Sequence, residues 1–151
     1  MLAEVRFYHL ERQPLEAALP RLLERVHERG LSAVVKLPDA ARVERIDRLL
    51  WTYDPDSFLP HGTAAGPHRE RQPIYLTAGD ERPNGASVLV LADAVPEPPD
   101  LDAYERCLYM FDGQDERIVE TARAAWRRFA SLAERRSYWQ QKPQGGWEQK
   151  L

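Results

Sequence analysis

The sequence predicts an α/β domain in three layers, with helices on both faces of a mainly parallel central sheet. Three observations carry that prediction. Short β-rich segments alternate with helical periodicities in the order strand, helix, strand, helix, joined by short links. Residues 87–92, Ser-Val-Leu-Val-Leu-Ala, are apolar without alternation, as a strand covered on both faces must be. The chain has 151 residues, 43% hydrophobic and 30% charged, which suits one domain with one real core.

Residues 4–10 are rich in β-formers and alternate, giving the first strand. Pro14 suits the first turn of a helix. Leu15, Leu19, Leu22, Leu23 and Val26 then recur at helical spacing, and Gly30 stops them. Residues 31–37 form the second strand. Asp39 reads as an N-cap for a helix that places Val43, Ile46, Leu49 and Leu50 on one face. Residues 52–73 are punctuated by prolines and glycines and read as a long loop, the kind that is usually functional. Residues 73–77 form a third strand, Asn84-Gly85 a turn, and 87–92 the fourth strand. A proline-stiffened connector leads to a fifth strand over 105–111. The longest helix is expected over about 115–136. The expected organisation is a single α/β domain over 1–138 and a loosely ordered C-terminal arm over 139–151.

The net charge is −3, so the composition does not support direct nucleic-acid binding as the main task. Charge is unevenly spread, however. Residues 117–142 hold seven Lys or Arg against two Asp or Glu, which suggests an anionic partner at that end. No apolar run approaches the about 20 residues of a membrane span, and the N-terminus lacks the pattern of a secretory signal. The single cysteine, Cys107, has no internal disulfide partner. These features place the protein in the cytoplasm, away from membranes.

Signals for catalysis are weak. The turn after the first strand, residues 10–14, has no glycine, so the fold reads as Rossmann-like but without a phosphate-binding loop. There is no nucleophile elbow either. Asp54, Asp56, His61 and His68 cluster in the proline-rich loop. One reading is a metal-dependent hydrolase built on the 54–68 loop through Asp56 and His61; the other is ordinary turn chemistry. Their spacing matches no metal template. Cys107 reads as a structural thiol on a strand. No catalytic residue, metal or cofactor is expected.

Two surfaces look built for partners. Trp51 and Phe58 lie in or beside a proline-stiffened loop, which lowers the entropy cost of presenting aromatic anchors; the alternative is that both tuck beneath the loop. On the long helix, Ile118, Ala122, Ala125, Phe129 and Leu132 form the stripe that faces the sheet. Val119, Arg123, Trp126 and Arg127 form the neighbouring stripe, with two guanidiniums one turn apart beside an indole. Such a group can hold a carboxylate and an apolar side chain together, and it can equally be a solvated basic face.

These segments, in this order, resemble the chi subunit of bacterial DNA polymerase III holoenzyme. The matching pieces are Phe7-Tyr8, then Asp47-x-x-Leu50-Trp51 leading to Ser57-Phe58-Leu59-Pro60-His61, then Gln72-Pro73-Ile74 and Asn84. Tyr109-Met110-Phe111-Asp112-Gly113, Ala122-Arg123-x-x-Trp126-Arg127 and Gly146-Trp147-Glu148-x-Lys150 complete the set. The resemblance implies an α/β/α domain without a catalytic site of its own, an accessory subunit associated with the clamp loader. It implies binding of the acidic C-terminal tail of single-stranded DNA-binding protein at Val119, Arg123, Trp126 and Arg127. It also implies binding of the psi subunit at Trp51, Phe58, Pro60 and His61, with a helicase-like protein as a competing partner there. Contact with single-stranded DNA would then be indirect, through the coating protein.

Overall fold

The computed structural model describes residues 1–151 and builds them around one eight-stranded sheet. In chain order the elements are β1 (Leu2–Leu10), α1 (Leu15–Glu28), β2 (Ala33–Lys36), α2 (Ala40–Thr52), β3 (His61–Thr63), β4 (Ile74–Thr77), β5 (Val88–Ala92), β6 (Arg106–Asp112), α3 (Glu116–Phe129), β7 (Ala133–Gln141) and β8 (Trp147–Gln149). The strand order is β3-β4-β2-β5-β6-β1-β7-β8, and every pairing is parallel except β7 with β8. β1 lies between β6 and β7 with Phe7 level with both Tyr109 and Tyr138.

The two faces carry separate cores. α1 and α2 bury Leu19, Leu23, Ile46 and Leu50 against Tyr8, Leu10, Val35 and Met110 on one face. α3 buries Ala122, Ala125 and Phe129 against Val5, Phe7, Tyr109 and Phe111 on the other. The alternation of β1 between the faces is the period-2 rule of a strand. β5 is buried along its whole length, as its uninterrupted apolar run requires. The three-layer α/β/α fold with a mainly parallel sheet is therefore the observed one.

Local signals set the helix ends. Past α1, the Gly30 N–H donates to the His27 carbonyl and the Leu31 N–H to that of Val26, and Gly30 takes φ +72°. That is the left-handed cap which favours glycine. Asp39 caps α2 by accepting from the Arg42 N–H at 2.8 Å. Asp115 does the same for α3, accepting from the Arg117 N–H at 3.0 Å. Asn84 ties the sheet across the turn, its side-chain amide donating to the carbonyls of Ala33 and Gln72.

The C-terminal third departs from expectation. The long helix stops at Phe129 rather than near residue 136, and residues 133–141 form β7. The stretch over 139–151 is not a loose arm: β7 continues through Gln141, and β8 pairs back on it after a turn closed by the Lys142 N–H on the Gly146 carbonyl. Trp147 packs edge-on against Tyr8, with ring centroids 5.0 Å apart. The reason is non-local. Residues 133–141 carry little apolar periodicity of their own, and they become a strand because β1 offers a full ladder of backbone partners. The long loop also holds more structure than expected: β3 pairs with β4, and a 3-10 turn spans Arg69–Arg71.

Candidate functional site

The Val119, Arg123, Trp126 and Arg127 stripe lines a cavity of about 260 Å³ whose other walls are Phe111, Ala122, Tyr138 and Leu151. α3 presents the stripe because its neighbouring face is committed to the sheet. Trp126 is half-buried, held edge-on by Phe7 at 5.3 Å and Tyr138 at 5.9 Å between ring centroids. The Arg136 guanidinium lies 4.2 Å above the indole centroid and donates to the Trp126 carbonyl at 2.6 Å. The indole is thus clamped in one orientation before any ligand arrives. Arg123 donates to Glu120 at 2.7 Å across an exposed pair, which holds it weakly. Arg127 is exposed and has no carboxylate within 4 Å. Arg128, by contrast, is taken by a two-pronged bond to Glu97 at 2.7 and 3.0 Å, which holds the Glu97 carboxyl below the usual range.

Behind the cavity stands His9. Its Nδ1 lies 2.6 Å from the Tyr138 hydroxyl, and its ring lies 5.0 Å from that of Phe111. Burial pushes the His9 imidazole below its ordinary value, against the pull of Glu11 and Asp112. Burial likewise raises the Tyr138 phenol. Tyr138, Leu151, Phe111 and Arg136 were not legible as site residues from sequence. The adjacent aromatics Tyr138 and Trp139 were the available signal, and the reading of a helix to about residue 136 followed by a loose arm left no strand to display it.

The second surface is open. Trp51 is 58% and Phe58 68% exposed, and their ring centroids lie 6.0 Å apart. Of the two readings left by the sequence, the rings do not tuck beneath the loop. Pro60 is half-buried beside them. His61 is different: its side chain is fully buried, 4.7 Å beneath the Trp51 ring. Its Nδ1 faces the Leu59 carbonyl at 2.8 Å and its Nε2 the Asp47 carboxylate at 3.0 Å. His61 therefore supports Trp51 from below and presents no surface of its own.

The 54–68 loop does not assemble a metal centre. Asp54 caps its own turn at the Asp56 N–H and pairs with Arg21, while His61 is engaged with Asp47. No three His, Cys, Asp or Glu side chains anywhere in the chain come together as a ligand set. Cys107 is fully buried, and burial pushes its thiol far up, so it stays protonated. At the β1–α1 turn, where a dinucleotide phosphate would sit, the N–H groups of Glu11, Arg12 and Gln13 all donate to the Gln141 side-chain oxygen at 3.2, 2.8 and 2.9 Å. The chain's own amide fills that nest of donors. No helix is long and apolar enough to cross a membrane.

The class is thus a three-layer, mostly parallel α/β domain with no glycine-rich phosphate turn after β1, an arginine-and-indole cavity between α3 and β7, and an aromatic platform at the end of α2. Residues 2–134 match the family described as "DNA polymerase III chi subunit, HolC", and the chain belongs to that family. It is also 33% identical over 90 residues to a protein of Rickettsia prowazekii (strain Madrid E) named "Probable DNA polymerase III subunit chi". That alignment covers 60% of this chain and 54% of the relative, so it spans about half the relative's length.

Proposed function

We propose that this protein is a non-catalytic accessory subunit of the DNA polymerase III holoenzyme, associated with the clamp loader, that grips the acidic C-terminal tail of single-stranded DNA-binding protein. The observation that carries the reading is the cavity of about 260 Å³ with an indole wall and two guanidiniums on its rim. A tail that ends in an aromatic ring and a free carboxylate fits those walls. The ring takes the apolar space between Val119, Trp126 and Tyr138, and the carboxylate pairs with Arg127 and with Arg123 once it leaves Glu120. Exposed ion pairs contribute little individually, so the apolar contact supplies much of the affinity. A dissociation constant of about 1 μM corresponds to about −8 kcal/mol. Many tails on coated single-stranded DNA then raise the avidity.

The Trp51 and Phe58 platform is assigned to the psi subunit, with Pro60 at its rim and His61 holding Trp51 from beneath. A helicase-like protein that uses the same platform would compete with psi. Isothermal titration of the tail peptide tests the main reading. Arg127→Ala is expected to weaken binding at least tenfold and Val119→Asp to abolish it. Wild-type affinity in Arg127→Ala overturns the assignment.

A further inference from the structure

The chain is acidic overall, with a net charge of −3, yet one face of its sheet is basic. A shallow cavity of about 120 Å³ lies between the C-terminal half of α1 and strands β1 and β6, on the sheet face opposite α3. Four arginines line it: Arg6, Arg25, Arg29 and Arg106. Arg25 in the last turn of α1 and Arg29 at its C-cap stand four residues apart, exposed and with no carboxylate within 4 Å. Arg6 and Arg106 share a single carboxylate, that of Glu4, at 3.4 and 3.8 Å. Arg135, also exposed and without an ion-pair partner, lies level with Glu4 on the neighbouring strand β7. Within 4 Å these five guanidiniums have one carboxylate partner between them, that of Glu4. Trp139 borders the group half-buried, with the Arg6 guanidinium 5.6 Å from its ring centroid.

Folding has concentrated these charges from four elements that no linear stretch of sequence joins. The density has a cost in mutual repulsion, and the protein supplies one acid to offset it. A polyanion is the matching partner. Guanidiniums spread over a face, rather than forked at one point, suit a run of phosphates. An indole at the border suits an unpaired base, which a duplex would keep stacked inside. We propose that this arginine-lined face binds the phosphate backbone of single-stranded DNA directly. It lies on the side of the sheet opposite the Trp126 cavity, so the inference stands or falls independently of the tail reading.

Fluorescence anisotropy of a labelled oligothymidine against the full chain tests it. Four phosphate contacts give a slope of log affinity on log salt of about −2.8, or about 50-fold weaker binding between 50 and 200 mM salt. Arg25→Gln/Arg29→Gln is expected to reduce that slope by about 1.4 and to weaken binding at least tenfold at low salt. Both side chains are exposed at the C-terminal end of α1, and circular dichroism checks that the helix is intact. Arg135→Gln provides an independent, single-charge loss of the same sign, while Arg117→Gln, an exposed charge on α3 across the sheet, leaves oligothymidine binding unchanged. The proposal is overturned by any of three results: no anisotropy change in wild type, equal binding by the double variant, or polyglutamate competing as well as unlabelled oligothymidine. The last result assigns the face to an acidic protein instead.

Discussion

Gly113 follows β6 where the chain turns toward α3, and it leaves no room for a side chain. A Cβ built there meets the His9 ring at 1.8 Å from Nε2 and 2.1 Å from Cδ2, and the Leu10 carbonyl oxygen at 2.9 Å. Gly113→Ala must therefore push His9 aside. His9 is not a free surface group: its Nδ1 holds the Tyr138 hydroxyl at 2.6 Å and its ring lies against Phe111. Overpacking of this kind costs about 1–3 kcal/mol. The lost hydrogen bond adds about 1 kcal/mol. A sum of about 2–4 kcal/mol corresponds to a fall in Tm of roughly 5–15 °C for a chain of this size. Thermal unfolding followed by circular dichroism reads it. In a His9→Ala background the same Gly113→Ala change should cost much less, since only the approach to the Leu10 carbonyl remains. Because Tyr138 also walls the Trp126 cavity, Gly113→Ala should weaken tail-peptide binding even below its new Tm. A variant within about 1 °C of wild type, or equal costs in the two backgrounds, refutes this account of the close approach.

Gln141→Ala strands three backbone N–H donors in the β1–α1 turn and is expected to cost about 2–3 kcal/mol, while Gln141→Glu, which keeps an acceptor, costs less; urea unfolding separates them. The burial-depressed His9 gives a pH signature. The unfolded chain binds the proton first as pH falls below 6.5, so stability is complete above that value and declines below it until the folded imidazole also titrates. The decline should be smaller in His9→Gln, and identical Tm profiles from pH 7.5 to pH 5 in the two proteins contradict it. Phe58→Ala removes a 68% exposed ring, so it should leave stability within about 0.5 kcal/mol while a psi titration loses at least tenfold in affinity; unchanged psi binding removes the platform from that role.

Much of this protein could be read along the chain. Asp39 and Gly30 mark helix ends because a capping side chain and a left-handed backbone act within a few residues. The apolar run of 88–92 announced a buried parallel strand because burial on both faces leaves no polar position. The Val119, Arg123, Trp126, Arg127 stripe followed from helical spacing alone. β7 did not, since a strand at this position is stabilised by β1, more than a hundred residues away in sequence, and its own residues are mostly polar. The walls that β7 supplies were missed with it: Tyr138, and Leu151, whose carbonyl oxygen accepts from the Tyr138 N–H. Whether His61 is exposed or buried, and whether five arginines share one face, are likewise outcomes of packing. Local rules act through neighbours in the chain, whereas burial and charge density depend on which distant segments come to lie side by side.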